Sequence, residues 1–153
     1  MIAGPRHLTT TTDRLAGLRR AAKEHGHRLT ARQIAYADFD RNGGGAAAAA
    51  LLAANPGLTA LAALNDSMAI GALACLRERG IDVPGRMSLI GFDDMPISVD
   101  VTPPLSTVRL PLEEIGVRAM SLALREGERD GPLVEHATAR LVLRGSTAAP
   151  PSA

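Results

Sequence analysis

The sequence holds no tryptophan, one tyrosine and two phenylalanines, so alanine and aliphatic side chains carry almost all of its 46% apolar fraction. Its single cysteine, Cys75, excludes a disulfide within the chain, and a place on the apolar face of an expected helix gives it a small packing role. No apolar run approaches the ~18 residues that a membrane-spanning helix requires. The first residues also lack the charged and apolar regions of a secretory signal, so a cytoplasmic protein with no membrane partner is expected. Charge of one sign is missing too. Seventeen basic residues stand against 16 acidic ones for a net charge of +1, and every basic residue except Lys23 is an arginine. Those arginines are scattered, which predicts no affinity of this stretch for a phosphate backbone.

Patterns for catalysis and cofactors are equally scarce. His7, His25, His27 and His136 show no metal-ligand spacing with acidic or sulfur partners. Ser67, Ser88, Ser98 and Ser106 lack the G-x-S-x-G elbow. Gly43-Gly44-Gly45 precedes an Ala/Leu-rich helix but has neither a Gly-Lys-Ser/Thr ending nor GxGxxG spacing. The expectation is a protein that is not an enzyme and uses no cofactor or metal.

What is present centres on residues 65–94. Asn65 and Asp66 follow the apolar run 61–64, and both side chains can accept from the free N–H groups of a helix starting near Ser67. Met68, Gly71, Ala72, Cys75 and Leu76 give that helix one face to bury, and Gly80 stops it. Pro84 and Gly85 turn the chain into the apolar run 88–92, a buried parallel strand ending in Asp93-Asp94.

Upstream, residues 1–5 read as the end of a strand, with Thr9 to Thr12 and Asp13 as candidate caps for a helix over 12–25. Residues 33–39 read as a strand, 46–54 as a helix and 59–64 as another strand. Strand and helix thus alternate as in a doubly wound, Rossmann-like parallel sheet with helices on both faces. Residues 95–104, with three prolines, break the alternation and suggest a crossing between lobes. Leu105 to Leu110 is extended, Pro111 opens a helix whose apolar face runs from Leu112 to Gly127, residues 127–132 form a polar turn, and 135–143 alternate as a strand.

In open parallel sheets, ligands bind beyond the carboxyl ends of the strands. Asn65 and Asp93 sit at such ends, and Arg14 lies early in the helix after the first strand, at the same edge. A guanidinium, a carboxylate and an amide there could bind vicinal hydroxyls or a heterocycle. Spacing alone leaves open that Asn65 and Asp93 only cap loops.

Several short runs then carry a resemblance: Ala3-Gly-Pro, Arg14-Leu-Ala-Gly-Leu, Ala37-Asp-Phe, Leu64-Asn-Asp-Ser-Met-Ala-Ile-Gly-Ala, Gly80-Ile-Asp-Val-Pro, Leu89-Ile-Gly-Phe-Asp-Asp, Thr102-Pro-Pro-Leu-Ser-Thr-Val and Leu143-Arg-Gly-Ser-Thr. In this order and spacing the chain resembles the effector-binding domain of the LacI/GalR family of bacterial transcriptional regulators, from Gly4 to Pro150. The resemblance implies a periplasmic-binding-protein type I fold of two Rossmann-like lobes. Residues 1–104 would be a nearly complete C-terminal lobe, 105–138 a segment returning to the N-terminal lobe, and 139–153 the final crossover strand and tail.

It also implies that Arg14, Asn65 and Asp93 contact an effector, that Phe39 packs against it, and that Ile70, Leu73 and Val101 lie at a homodimer interface. The effector would be a sugar or a purine-like metabolite, and DNA would be met only through a helix-turn-helix that this stretch lacks. Leu110 stands where many members have Gln. The missing N-terminal lobe and clipped first strand suggest truncation, and the absent lobe would leave one side of the 112–126 helix exposed. A solute-binding protein of a sugar transporter is the alternative within the same fold, and an α/β enzyme a third reading.

Overall fold

The computed structural model describes residues 1–124 and 134–150. The expected polar turn at 127–132 and the helix stop at Gly127 lie outside them. The order of elements is β1 (Ile2–Ala3), α1 (Thr9–Glu24), β2 (Ala35–Tyr36), α2 (Arg41–Ala54), β3 (Ala60–Ala62), α3 (Asp66–Glu78), β4 (Ser88–Ile90), β5 (Thr107–Arg109), α4 (Leu112–Ala123) and β6 (Arg140–Val142). Short 3₁₀ turns occupy Ala31–Gln33 and Pro96–Val99. No helix among the described residues is long and apolar enough to cross a membrane.

The strands lie in the order β2-β1-β3-β4-β5-β6. β1 pairs with β2 and β3 with β4 in parallel, and β5 pairs with β6 antiparallel. Isolated parallel bridges, Ile2 to Ala63, Ile90 to Ser106 and Asp93 to Arg109, join the three pairs into one sheet. Alternation along each strand sends side chains to opposite faces. Ile2, Leu61 and Leu89 pack with Ala48, Leu51, Met68, Ala72 and Leu76 on the α2/α3 side. Met1, Ala3 and Leu64 meet Leu15 of α1 on the other, so helices cover both faces, as the periodicity predicts. Each fully buried Leu or Met there contributes roughly 1.5–3 kcal/mol.

Several expected boundaries move. Helix α1 starts at Thr9 with Leu8 as its N-cap and no capping side chain, so the threonines fill its first turn instead of preceding it. The Gly43-Gly44-Gly45 run lies inside α2, which Asp40 caps by accepting from the Gly43 N–H at 2.6 Å. The reason is steric: a Cβ on Gly44 would strike the Met68 carbonyl, and one on Gly71 would strike the Arg41 carbonyl. Helices α2 and α3 therefore meet backbone to backbone, and glycine's poor helix propensity is overridden by that approach.

The strand expected over 33–39 shrinks to Ala35–Tyr36, because a 3₁₀ turn occupies the residues before it. The strand expected over 135–143 shrinks to Arg140–Val142, since only those residues pair with β5. Pro111 is the residue before α4 rather than in its first turn, and Leu112, Ile115, Val117 and Met120 of α4 are all exposed.

Candidate functional site

The ends of β1, β3 and β4 come together at one edge of the sheet, and Arg14 ties the last two. From the second turn of α1 its Nη1 donates to the Leu64 carbonyl at 2.5 Å and its Nη2 to Asp93 Oδ1 at 3.2 Å. The guanidinium plane lies over the Phe92 ring, 3.9 Å from its centroid. The sequence does not mark Phe92 as a site residue. Its signal is alternation alone: Ile90 and Phe92 share the face turned to α1, and with Arg14, Leu18 and Val108 they line an apolar cavity of about 300 Å³.

Asn65 does what its position predicts, capping α3 by accepting from the Met68 N–H at 2.8 Å. Its Nδ2 donates to the Phe39 carbonyl at 3.3 Å, leaving one amide proton for a ligand. The Phe39 ring fills the space that a side chain on Gly4 would need, so it is locked against β1. Arg14, Asn65, Phe39 and Asp93 thus form one contiguous group: Arg14 bonds Asp93 directly and reaches Asn65 through the neighbouring Leu64 carbonyl.

The two aspartates at the end of β4 are both left-handed, with φ 106° at Asp93 and 56° at Asp94. Non-glycine residues held in such regions cost about 1–3 kcal/mol each and persist only when their surroundings fix them. Main-chain hydrogen bonds supply part of that fixing. The N–H of Asp93 donates to the Val108 carbonyl at 2.9 Å, that of Asp94 to Thr107 Oγ1 at 3.3 Å, and that of Met95 to Asp66 Oδ2 at 2.8 Å.

Their side chains part company as well. Partial burial pushes the Asp93 carboxyl above the usual carboxylate range, against the opposing charge and hydrogen bond of Arg14. Burial alone would raise Asp94 too, yet the hydrogen bonds and charges of Arg144 and Arg109 outweigh it and hold that carboxyl below its ordinary value. The Asp94 side chain is 7% exposed, with Oδ1 on Arg144 Nη2 at 2.6 Å and Oδ2 on Arg109 Nε. Among the described residues no donor reaches Asp93 Oδ2, so that oxygen is available to a hydroxyl.

The sequence marks Asp66 only as a helix cap, and the structure gives it another task. Fully buried, its carboxylate accepts from Ser98 Oγ and Thr107 Oγ1, each at 2.6 Å, and from the Met95 N–H. Gly91 makes room for it, since a Cβ there would collide with Oδ1. Of the residues expected at a dimer interface, Leu73 belongs to the chain's own core at 7% exposure, while Ile70 and Val101 are half-buried against that core.

Residues 1–147 match the family model for the periplasmic binding protein-like domain. This chain belongs to that family. Its relatives within it are LacI/GalR-type regulators. The transcriptional regulator GalR of Escherichia coli K12 is 42% identical over 117 residues, covering 76% of this chain and 34% of GalR. The transcriptional repressor CytR of the same strain is 36% identical over 152 residues, covering 98% of this chain and 45% of CytR. The chain therefore spans less than half the length of these relatives.

Among solved structures, a sugar-binding LacI-family regulator from Escherichia coli in complex with phosphate superposes at a TM-score of 0.86 with 34% identity, over 97% of this domain and 54% of that chain. The regulator CelR in complex with cellobiose superposes at 0.90 with 31% identity, over 95% and 45%. These relatives are transcriptional regulators.

Proposed function

We propose that this domain is the effector-sensing part of a LacI/GalR-type transcriptional regulator and that Arg14, Asn65 and Asp93 hold a sugar or nucleobase-like metabolite, with Phe39 and Phe92 fixing the walls. The observation that carries this reading is the Arg14–Asp93 pair, a forked donor and a half-open acceptor side by side at the carboxyl edge of a parallel sheet. Directional pairs of this kind suit vicinal hydroxyls, and the Phe92 ring stacked under the Arg14 guanidinium holds that donor in place.

In this reading residues 1–104 form one lobe, and the segments 105–138 and 139–153 lead to and from a second. Two copies pair through the side of α3 that carries Ile70, together with Val101, and DNA is met through a helix-turn-helix outside this stretch. Effector affinity must differ between DNA-competent and incompetent arrangements, since equal affinity would regulate nothing.

Thermal unfolding with a panel of D-galactose, cellobiose, cytidine and hypoxanthine tests this. A ligand at about 100 times its Kd stabilises by about 2.7 kcal/mol, a rise of several degrees in Tm. At least one compound should raise the midpoint of the wild type and leave Asp93→Ala unmoved. No response from any member, or an equal response in the variant, would sink the proposal.

A further inference from the structure

Asp94 touches no part of the candidate cleft, yet more charge is committed to it than to its neighbour. Its two oxygens are clamped by arginines from different strands: Arg109 at the end of β5, and Arg144 two residues beyond β6. Arg144 is itself anchored, since its Nη1 donates to the Leu105 carbonyl at 2.8 Å and its own N–H to Ser106 Oγ at 2.8 Å. Both clamps therefore belong to the antiparallel pair that leads into and out of α4.

The backbone at 93–94 cannot hold its shape unaided. Two successive aspartates with positive φ form a turn that relaxes toward extended geometry unless both ends are held. Main-chain N–H bonds tie the turn at Asp93, Asp94 and Met95. The Asp94 carboxylate adds the side-chain tie to Arg109 and Arg144, and the direction of that turn decides where the Asp93 carboxylate points.

We infer that Asp94 is a positioning residue, clamped by Arg109 and Arg144, that aims the Asp93 carboxylate at Arg14 and makes the site's acceptor depend on the placing of β5 and β6. A displacement of that strand pair pulls on Asp94 and turns Asp93 away from Arg14. In the other direction, a ligand that tightens the Arg14–Asp93 pair favours one placing of the pair of strands. The inference rests on the proposed effector site for its meaning, but the positioning itself exists without a ligand.

The test uses Arg144→Gln and Arg109→Gln in isotope-labelled protein, with circular dichroism to confirm folding. If Asp94 positions Asp93, the Cα and Cβ shifts of Asp93 move toward extended values in Arg144→Gln, and its carboxyl titration changes as the Arg14 contact loosens. Helix α3 resonances stay in place. A compound from the panel above then binds Arg144→Gln about tenfold or more weakly, because a charged hydrogen-bonding group has lost its aim. If Arg144→Gln does not fold, Arg144→Lys keeps the charge and loses the fork, and is read in the same way. Unchanged Asp93 shifts and titration in both clamp variants would overturn the inference, whatever happens to stability. Failure of every compound to bind the wild type would instead sink the effector reading, leaving the shift measurements to decide the positioning.

Discussion

Arg14 and Asp93 stand 79 positions apart in the chain and 3.2 Å apart in space, joined through Nη2 and Oδ1. The pair is partly open, with 22% and 33% of the two side chains exposed, so its value lies more in ligand geometry than in stability.

Arg14→Gln should therefore unfold only slightly more easily than the wild type, by about 1–2 kcal/mol for the lost charged hydrogen bonds and the stacking on Phe92. Its effector response in the thermal assay should vanish. A variant that loses several times that stability would show that Arg14 is a structural tie first.

Asp66 is the opposite case. Removing a buried carboxylate that satisfies three donors leaves those donors stranded, so Asp66→Ala should cost about 3–5 kcal/mol. Urea denaturation checks this: the midpoint should fall with little change in slope. A loss below about 1 kcal/mol would mean that water replaces the carboxylate.

The acid limb of stability should bear the mark of Asp94. Its folded-state carboxyl lies below the ordinary value, so its contribution is fully present above the unfolded value of about 3.9 and is lost as pH falls through the folded one. Asp93 has the reverse sign. Its raised carboxyl binds a proton more readily when folded, which offsets part of that loss as the medium acidifies. Denaturation measured from about pH 6 down to pH 2 should show a flatter acid limb in Asp94→Asn than in the wild type. A parallel acid limb would refute the assignment.

Two glycines in helices should respond in opposite ways to alanine. At Gly17 in α1 a Cβ meets nothing within 4 Å, so Gly17→Ala should stabilise by about 0.5–1 kcal/mol through helix propensity. At Gly71 the same methyl strikes the Arg41 carbonyl and comes within 2.9 Å of the Gly45 nitrogen. Overpacking of that kind should reverse the gain and cost about 1–3 kcal/mol net. Thermal melts of the two variants decide it, and a stabilised Gly71→Ala would mean that α2 and α3 can move apart.

Legibility followed range. The Asn65 cap spans three residues, and the pattern of α3 repeats within four, so both are local facts that a sequence displays. Alternating elements gave the parallel sheet for the same reason. The resemblance assembled Arg14, Asn65 and Asp93, although spacing alone could not separate ligand binding from capping. Asp66 stayed hidden because an acid after an N-cap is ordinary, while its partners Ser98 and Thr107 lie 32 and 41 positions away. The glycine run misled because glycine signals a turn locally, and only the facing helix explains its use inside one. The short β6 had the same cause, for alternation cannot reveal where a partner strand ends.

The edge of β4 receives two visitors: its Leu89 N–H bonds the Ser146 carbonyl and its Gly91 N–H the Ser106 carbonyl. Ser146 arrives 57 residues after Leu89 in the order of synthesis. A chain emerging from the ribosome can thus assemble β1 to β4 with their helices early, but β4 keeps part of its edge unsealed until Ser146 appears. Pairing over such separations is slow. During that interval the unpaired edge is the place where a chaperone or a neighbouring nascent chain would find this protein vulnerable.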